Sequence, residues 1–124
     1  LPQAEFTLFD LPPVLDLASK YLECHLLRGS YTTQTLNQTY HDEDFDLVIS
    51  NYAFSELPSV VQRAYAEKVL TKSTRGYMIM NSGLPVSPFQ GDYLTLAQIE
   101  EYLPGVILDS EEPNTAPGNY LLRW

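Results

Sequence analysis

The sequence predicts an α/β fold, a mostly parallel sheet with helices on its faces, and three observations predict it. Short apolar runs alternate with amphipathic stretches from residue 6 to about residue 108. The segment DLVIS at 46–50 is continuously apolar over Leu47, Val48 and Ile49, the pattern of a strand covered on both faces in a parallel sheet. Helix-start signals follow the apolar runs: Pro12 with Pro13, Ser59 with Gln62, and Thr95 with Gln98.

Residues 6–9, FTLF, read as a first strand covered on both faces, with Asp10 at its carboxyl end. A helix over 12–27 follows, because the two prolines have φ preset near the helical value and lack only an N–H that the first turn leaves unused. Val14, Ala18, Tyr21, Leu22 and His25 recur at spacings of three and four and form its expected inward face, which gives Cys24 a semi-buried packing role and His25 a core position. Gly29 is its expected left-handed stop. SYTTQTL, at 30–36, is dense in Tyr and Thr and reads as the second strand, before a polar loop at 37–44.

FDLVIS, at 45–50, is the third strand, expected at a central position. Ser59 and Gln62 predict a capping box on a helix that ends at Ser73 or Thr74, with Val61, Ala64, Tyr65 and Val69 inward. GYMIMN, at 76–81, is a fourth buried strand, and 82–93 form a Gly- and Pro-bearing loop of a length that often covers a binding site. Thr95 and Gln98 cap a short helix through Leu103, which Pro104 and Gly105 stop. VILDSEEP and NYLLRW, at 106–113 and 119–124, are the last strands, and the turn between them holds Asn114, Pro117 and Gly118. So short a connection has no room for a crossover, so the two are antiparallel if they are neighbours.

A chain of 124 residues makes a single domain. Its net charge of −9 and pI near 4.4 exclude nucleic acid and an anionic membrane surface as main partners, since phosphate binding needs clustered cations and only seven Lys and Arg are present. No run approaches the roughly 18 apolar residues of a membrane span, the first residues carry no signal core, and there is one cysteine, which together point to a soluble, cytoplasmic protein. His41, Asp42, Glu43 and Asp44 are adjacent loop residues that cannot all converge on one ion, and no metal is expected.

The stretches FDLPPVL at 9–15, FDLVISNYAFSEL at 45–57, RGYMIMNS at 75–82 and EEPNTAPGNYLLRW at 111–124 resemble S-adenosylmethionine-dependent methyltransferases, and more narrowly the sugar O-methyltransferase family. The resemblance covers nearly the whole chain. It implies a Rossmann-like methyltransferase sheet with an antiparallel C-terminal strand, and S-adenosylmethionine as cofactor. Asp10 would hold the ribose hydroxyls and Leu11 would contact the adenine. Asn37 and Gln38 would lie near the adenine amino group, and Ser50 and Asn51 near the methionine part. The methyl acceptor would be a hydroxyl of a sugar or similar small molecule. None of the six glycines forms the G-x-G turn that follows the family's first strand. Residues 1–124 therefore read as a single partial domain whose first strand corresponds to the family's second, with the first strand missing.

Several of these residues have a second reading. Asp10 precedes a proline-led helix and could cap it, alone or while also serving the ribose. Glu56 stands in the loop after the third strand, on the ligand edge, where a carboxylate in reach of a hydroxyl acts as general base; otherwise it is a solvated loop residue. Asn51 and Tyr52 are polar groups at the same edge or plain turn residues. For the chain as a whole, a Rossmann-like binding or interaction domain that has lost the cofactor fits the absent glycine turn equally.

Overall fold

The computed structural model describes residues 4–25, 29–37, 44–81 and 92–124. Contacts divide the chain into two compact units, residues 1–41 and 42–124.

In the first unit, β1 (Ala4–Phe9) pairs in parallel with β2 (Gly29–Gln34), from Ala4 opposite Gly29 to Phe9 opposite Gln34. Helix α1 (Pro12–Glu23) lies between them in the chain, as the crossover between two parallel strands requires. The helix is shorter than its pattern predicts: it is capped at Cys24, and 26–28 lie outside the described residues. Its inward stripe also differs. Leu15 is buried, with Ala18, Ser19 and Leu22 half-buried beside it, whereas Val14 and Tyr21 are exposed. The stripe turns about one residue from the expected one, because Leu15 and Leu22, seven apart, make the longer apolar seam. Cys24 and His25 consequently fall on the exposed side, where the His25 ring lies 4.5 Å from that of Tyr21. Gly29 is not a left-handed stop. It is the first residue of β2, and a Cβ there would lie 2.3 Å from the Ala4 carbonyl oxygen, so glycine permits the two strands to approach. Phe6, expected inside, is 53% exposed on this two-stranded sheet.

In the second unit, four strands follow the order β3-β4-β6-β5: β3 (Val48–Asn51), β4 (Gly76–Met80), β5 (Ile107–Ser110) and β6 (Tyr120–Arg123). β3 and β4 are parallel, while β6 is antiparallel to both of its neighbours, β4 and β5. The chain is thus α/β, with a parallel two-stranded sheet and a mixed four-stranded one. β3 is an edge strand of its sheet and not a central one; Ile49 is 62% exposed. The strand is shorter than expected: Phe45 forms an isolated parallel bridge to Ser73, and the ladder begins at Val48. The central positions belong to β4 and β6, where the cross-strand partners Met78 and Leu122 are both fully buried.

Helices α2 (Ser59–Lys68) and α3 (Leu96–Tyr102) bring Ala66 and Ile99 into the same core as Met78 and Leu122. Thr95 and Gln98 form the reciprocal capping box that their spacing predicts, with Gln98 N–H donating to Thr95 Oγ1 at 3.3 Å and Thr95 N–H to Gln98 Oε1 at 2.9 Å. The box expected at Ser59 does not form. Pro58 is the N-cap, the Ser59 hydroxyl donates instead to Asp92 Oδ1 at 2.6 Å, and Gln62 turns inward. The helix ends at Lys68, and a short 3-10 helix, Leu70–Lys72, continues it. The loop residues 82–91 lie outside the described residues.

Candidate functional site

The carboxyl ends of β1 and β2 lie on one edge of the first unit, because the strands are parallel. Asp10 follows β1 there, and its N–H donates to the Gln34 carbonyl at 3.4 Å. Its Oδ1 accepts the Leu11 N–H at 2.7 Å, and its carboxylate makes no other hydrogen bond or ion pair among the described residues. Asp10 does not cap α1: the N-cap is Leu11, without a side-chain bond, and the Pro12 and Pro13 start leaves fewer amides to satisfy. Leu11 is 69% exposed beside this carboxylate. Asn37, in the turn after β2, is exposed; Gln38 lies outside the described residues.

In the second unit, Ser50 and Asn51 end β3, and a 3-10 helix, Ala53–Glu56, follows at the carboxyl edge. The sequence at this point has no glycine, yet the chain reverses sharply at Tyr52, whose φ is 64° and ψ −29°. Four side chains then pin the turn. Ser50 Oγ accepts the Phe54 N–H at 3.2 Å. The Ser55 hydroxyl donates to the Tyr52 carbonyl at 2.7 Å and accepts the Asn81 N–H at 3.0 Å, tying the turn to the end of β4. Gln62, 1% exposed, donates to the Phe54 carbonyl at 2.8 Å and accepts the Leu94 N–H at 2.7 Å. The Tyr52 hydroxyl donates to the buried Glu111 carboxylate, beyond the end of β5.

Glu56 is the last residue of this pinned turn. It is exposed, and its Oε1 accepts from Asn81 Nδ2 at 3.1 Å. The structure therefore brings Ser50, Asn51, Glu56 and Asn81 together at one edge. Next to them a cavity of about 240 Å³ is lined by Ser55, Gln62, Met80, Asn81, Tyr93 and Tyr120, among others. Burial pushes the Tyr120 phenol above its usual range. Among the described residues the buried Tyr93 hydroxyl has no hydrogen-bond partner.

Glu111 is the carboxylate that sequence reasoning missed. It is 5% exposed, and its charge is held below the ordinary carboxylate range by the Thr115 N–H at 2.8 Å and by the Tyr52 hydroxyl. The Tyr52 phenol is raised in turn, chiefly by donating to that carboxylate. Gln62 lay off the expected inward face of Val61, Ala64, Tyr65 and Val69; the structure buries the stripe Gln62, Ala66 and Val69 instead, and a buried polar residue must find partners. The sequence places Tyr52 at this edge, but nothing local marks Glu111 or predicts that the two meet across 59 residues. Among the described residues no group of three His, Cys, Asp or Glu side chains is placed to hold a metal, and no helix is long and apolar enough to cross a membrane. In comparisons with known proteins, no protein-family model and no curated protein matches the chain.

Proposed function

We propose that the chain is part of an S-adenosylmethionine-dependent O-methyltransferase with a Rossmann-like sheet, acting on a hydroxyl of a sugar or similar small molecule. The observation that carries this reading is Asp10, a carboxylate at the carboxyl end of a parallel strand that does not spend itself on capping the helix after it. Its open oxygen suits a pair of ribose hydroxyls, and the exposed Leu11 beside it suits a flat apolar base. The position of β6, antiparallel to both neighbours, agrees with the same family resemblance. Asn37 and Gln38 would serve the adenine, and Ser50 and Asn51 the methionine part.

S-adenosylmethionine, when bound, supplies a sulfonium methyl group open to in-line displacement by a hydroxyl oxygen. This chain supplies orientation and a proton acceptor. Glu56, which accepts from Asn81 on a pinned turn, would take the acceptor hydroxyl's proton as the oxygen attacks. A neutral acceptor suits a protein of net charge −9 better than a polyanion does.

The test is calorimetric titration of S-adenosylmethionine into the protein expressed from its natural coding sequence, including whatever precedes Leu1. Binding is expected, and Asp10→Ala should weaken it by roughly tenfold to a hundredfold, the cost of about 1.5–3 kcal/mol for lost hydrogen bonds to a charged acceptor. No heat of binding, or equal affinity in the variant, would overturn the reading.

A further inference from the structure

Among the described residues, Tyr52 is the one non-glycine residue with positive φ. A bulky side chain there is strained, and such a conformation persists only where its surroundings over-determine it. The Tyr52 N–H donates to the Ile79 carbonyl at 2.8 Å, which fixes the residue at the end of the β3–β4 ladder. Its carbonyl accepts the Ser55 N–H at 3.0 Å and the Ser55 hydroxyl at 2.7 Å, so the dihedral angles at Tyr52 set the direction in which the 53–56 turn leaves the sheet.

The third hold is the side chain, which reaches the far end of the strand order. Its hydroxyl bonds Glu111 and lies 2.8 Å from Thr115 Oγ1. Glu111 is locked in turn by the Thr115 N–H at 2.8 Å and hydroxyl at 2.9 Å, and Asn119 Nδ2 donates to Thr115 Oγ1 at 3.1 Å. Burying a carboxylate is costly, and this one is kept buried by the donors around it, the Thr115 N–H and hydroxyl and the Tyr52 hydroxyl. It is a good device for holding one phenol in one direction.

We infer that Tyr52 and Glu111 are positioning residues, a cross-sheet strut that keeps the strained turn at 50–56 in the geometry that presents Asn51 and Glu56 at the carboxyl edge. The functional half of this inference rests on the methyl-transfer reading of that edge; the mechanical half does not. Neither residue touches the reacting atoms.

Amide hydrogen exchange read by NMR on the full chain tests it. In Tyr52→Phe, which keeps the ring and the core packing, the Ser55 and Leu57 amides should exchange about tenfold faster or more, while the Met78 and Leu122 amides keep their protection. Glu111→Ala should do the same, and Glu111→Gln, which retains an acceptor for the phenol, should restore part of the protection. In a Tyr52→Gly background, where positive φ carries no strain, Glu111→Ala should leave the Ser55 amide unchanged. An unaltered Ser55 amide in Tyr52→Phe, or an equal effect of Glu111→Ala with and without Tyr52, overturns the strut. Failure of the methyl-transfer reading would appear separately, as absent S-adenosylmethionine binding by the unsubstituted protein, and would leave the exchange result standing.

Discussion

The Tyr52 hydroxyl donates to the carboxylate of Glu111, joining the turn after β3 to the segment after β5 across a separation of 59 residues. The bond is strongest with a charged Glu111 and a neutral Tyr52, and this makes stability depend on pH at both ends of the scale. Glu111 has its folded value held below its ordinary 4.5, first by the Thr115 N–H and then by Tyr52. A depressed carboxylate contributes stability that is present above its unfolded value and lost as pH falls through the folded one. Urea unfolding should therefore show stability falling below about pH 4.5, and Glu111→Gln should make that acid slope shallower. At the alkaline end Tyr52 is raised above 10.0, chiefly by Glu111, so its contribution is complete below pH 10.0 and lost above it. Tyr52→Phe should reduce the alkaline loss, leaving the part that the buried Tyr120 contributes; unchanged slopes in both variants would disprove the coupling.

Gln62 is the buried polar residue on which the turn and the 94–95 segment both hang. Gln62→Leu keeps the volume but leaves the buried Leu94 N–H without its acceptor, whereas the Phe54 carbonyl still accepts the Leu57 N–H at 3.3 Å. Chemical denaturation should show a loss of about 1–3 kcal/mol, the cost of one unsatisfied buried donor.

Gly76 opens β4 beneath the Trp124 ring, where a Cβ would lie 1.9 Å from the nearest ring carbon. The ring cannot simply swing aside, because its Nε1 donates to Ser73 Oγ at 3.0 Å and its backbone pairs with Gly76 at 3.1 and 3.3 Å. Gly76→Ala should lower stability by about 1–3 kcal/mol, as overpacking of a close contact does, and should shift the tryptophan fluorescence. In the same core, Leu122→Ala should cost about 2–5 kcal/mol.

Glu56→Gln separates binding from chemistry. The amide still accepts from Asn81 but cannot take a proton, so cofactor affinity should stay level while turnover falls by about a hundredfold or more. Single-turnover transfer of labelled methyl is the measurement. Unchanged turnover would remove Glu56 from the mechanism and leave Asp92 or His41 to be tried as base.

The sequence by itself determined the elements whose causes lie within a few residues. Pro12 and Pro13 start α1, and Thr95 with Gln98 starts α3, because the groups that satisfy a helix's first amides stand one turn away in the chain. The same nearness made Asp10 and Glu56 recognisable as carboxylates just beyond strand ends. Ser59 and Gln62 show the limit of such reading. Their spacing is that of a capping box, but the inside of the unit offered Gln62 two backbone partners, one of them 32 residues away, and those won. Only the tertiary structure decided that β3 is an edge strand, that β6 enters between β4 and β5, and that α1 turns Leu15 and not Val14 inward. Only it put Tyr52 into a conformation that favours glycine and paid for this with a carboxylate from the far end of the unit. The physical reason is range: a hydrogen bond or an apolar contact depends on which groups meet, and groups 59 residues apart leave no periodicity or spacing in the chain by which their meeting could be foreseen.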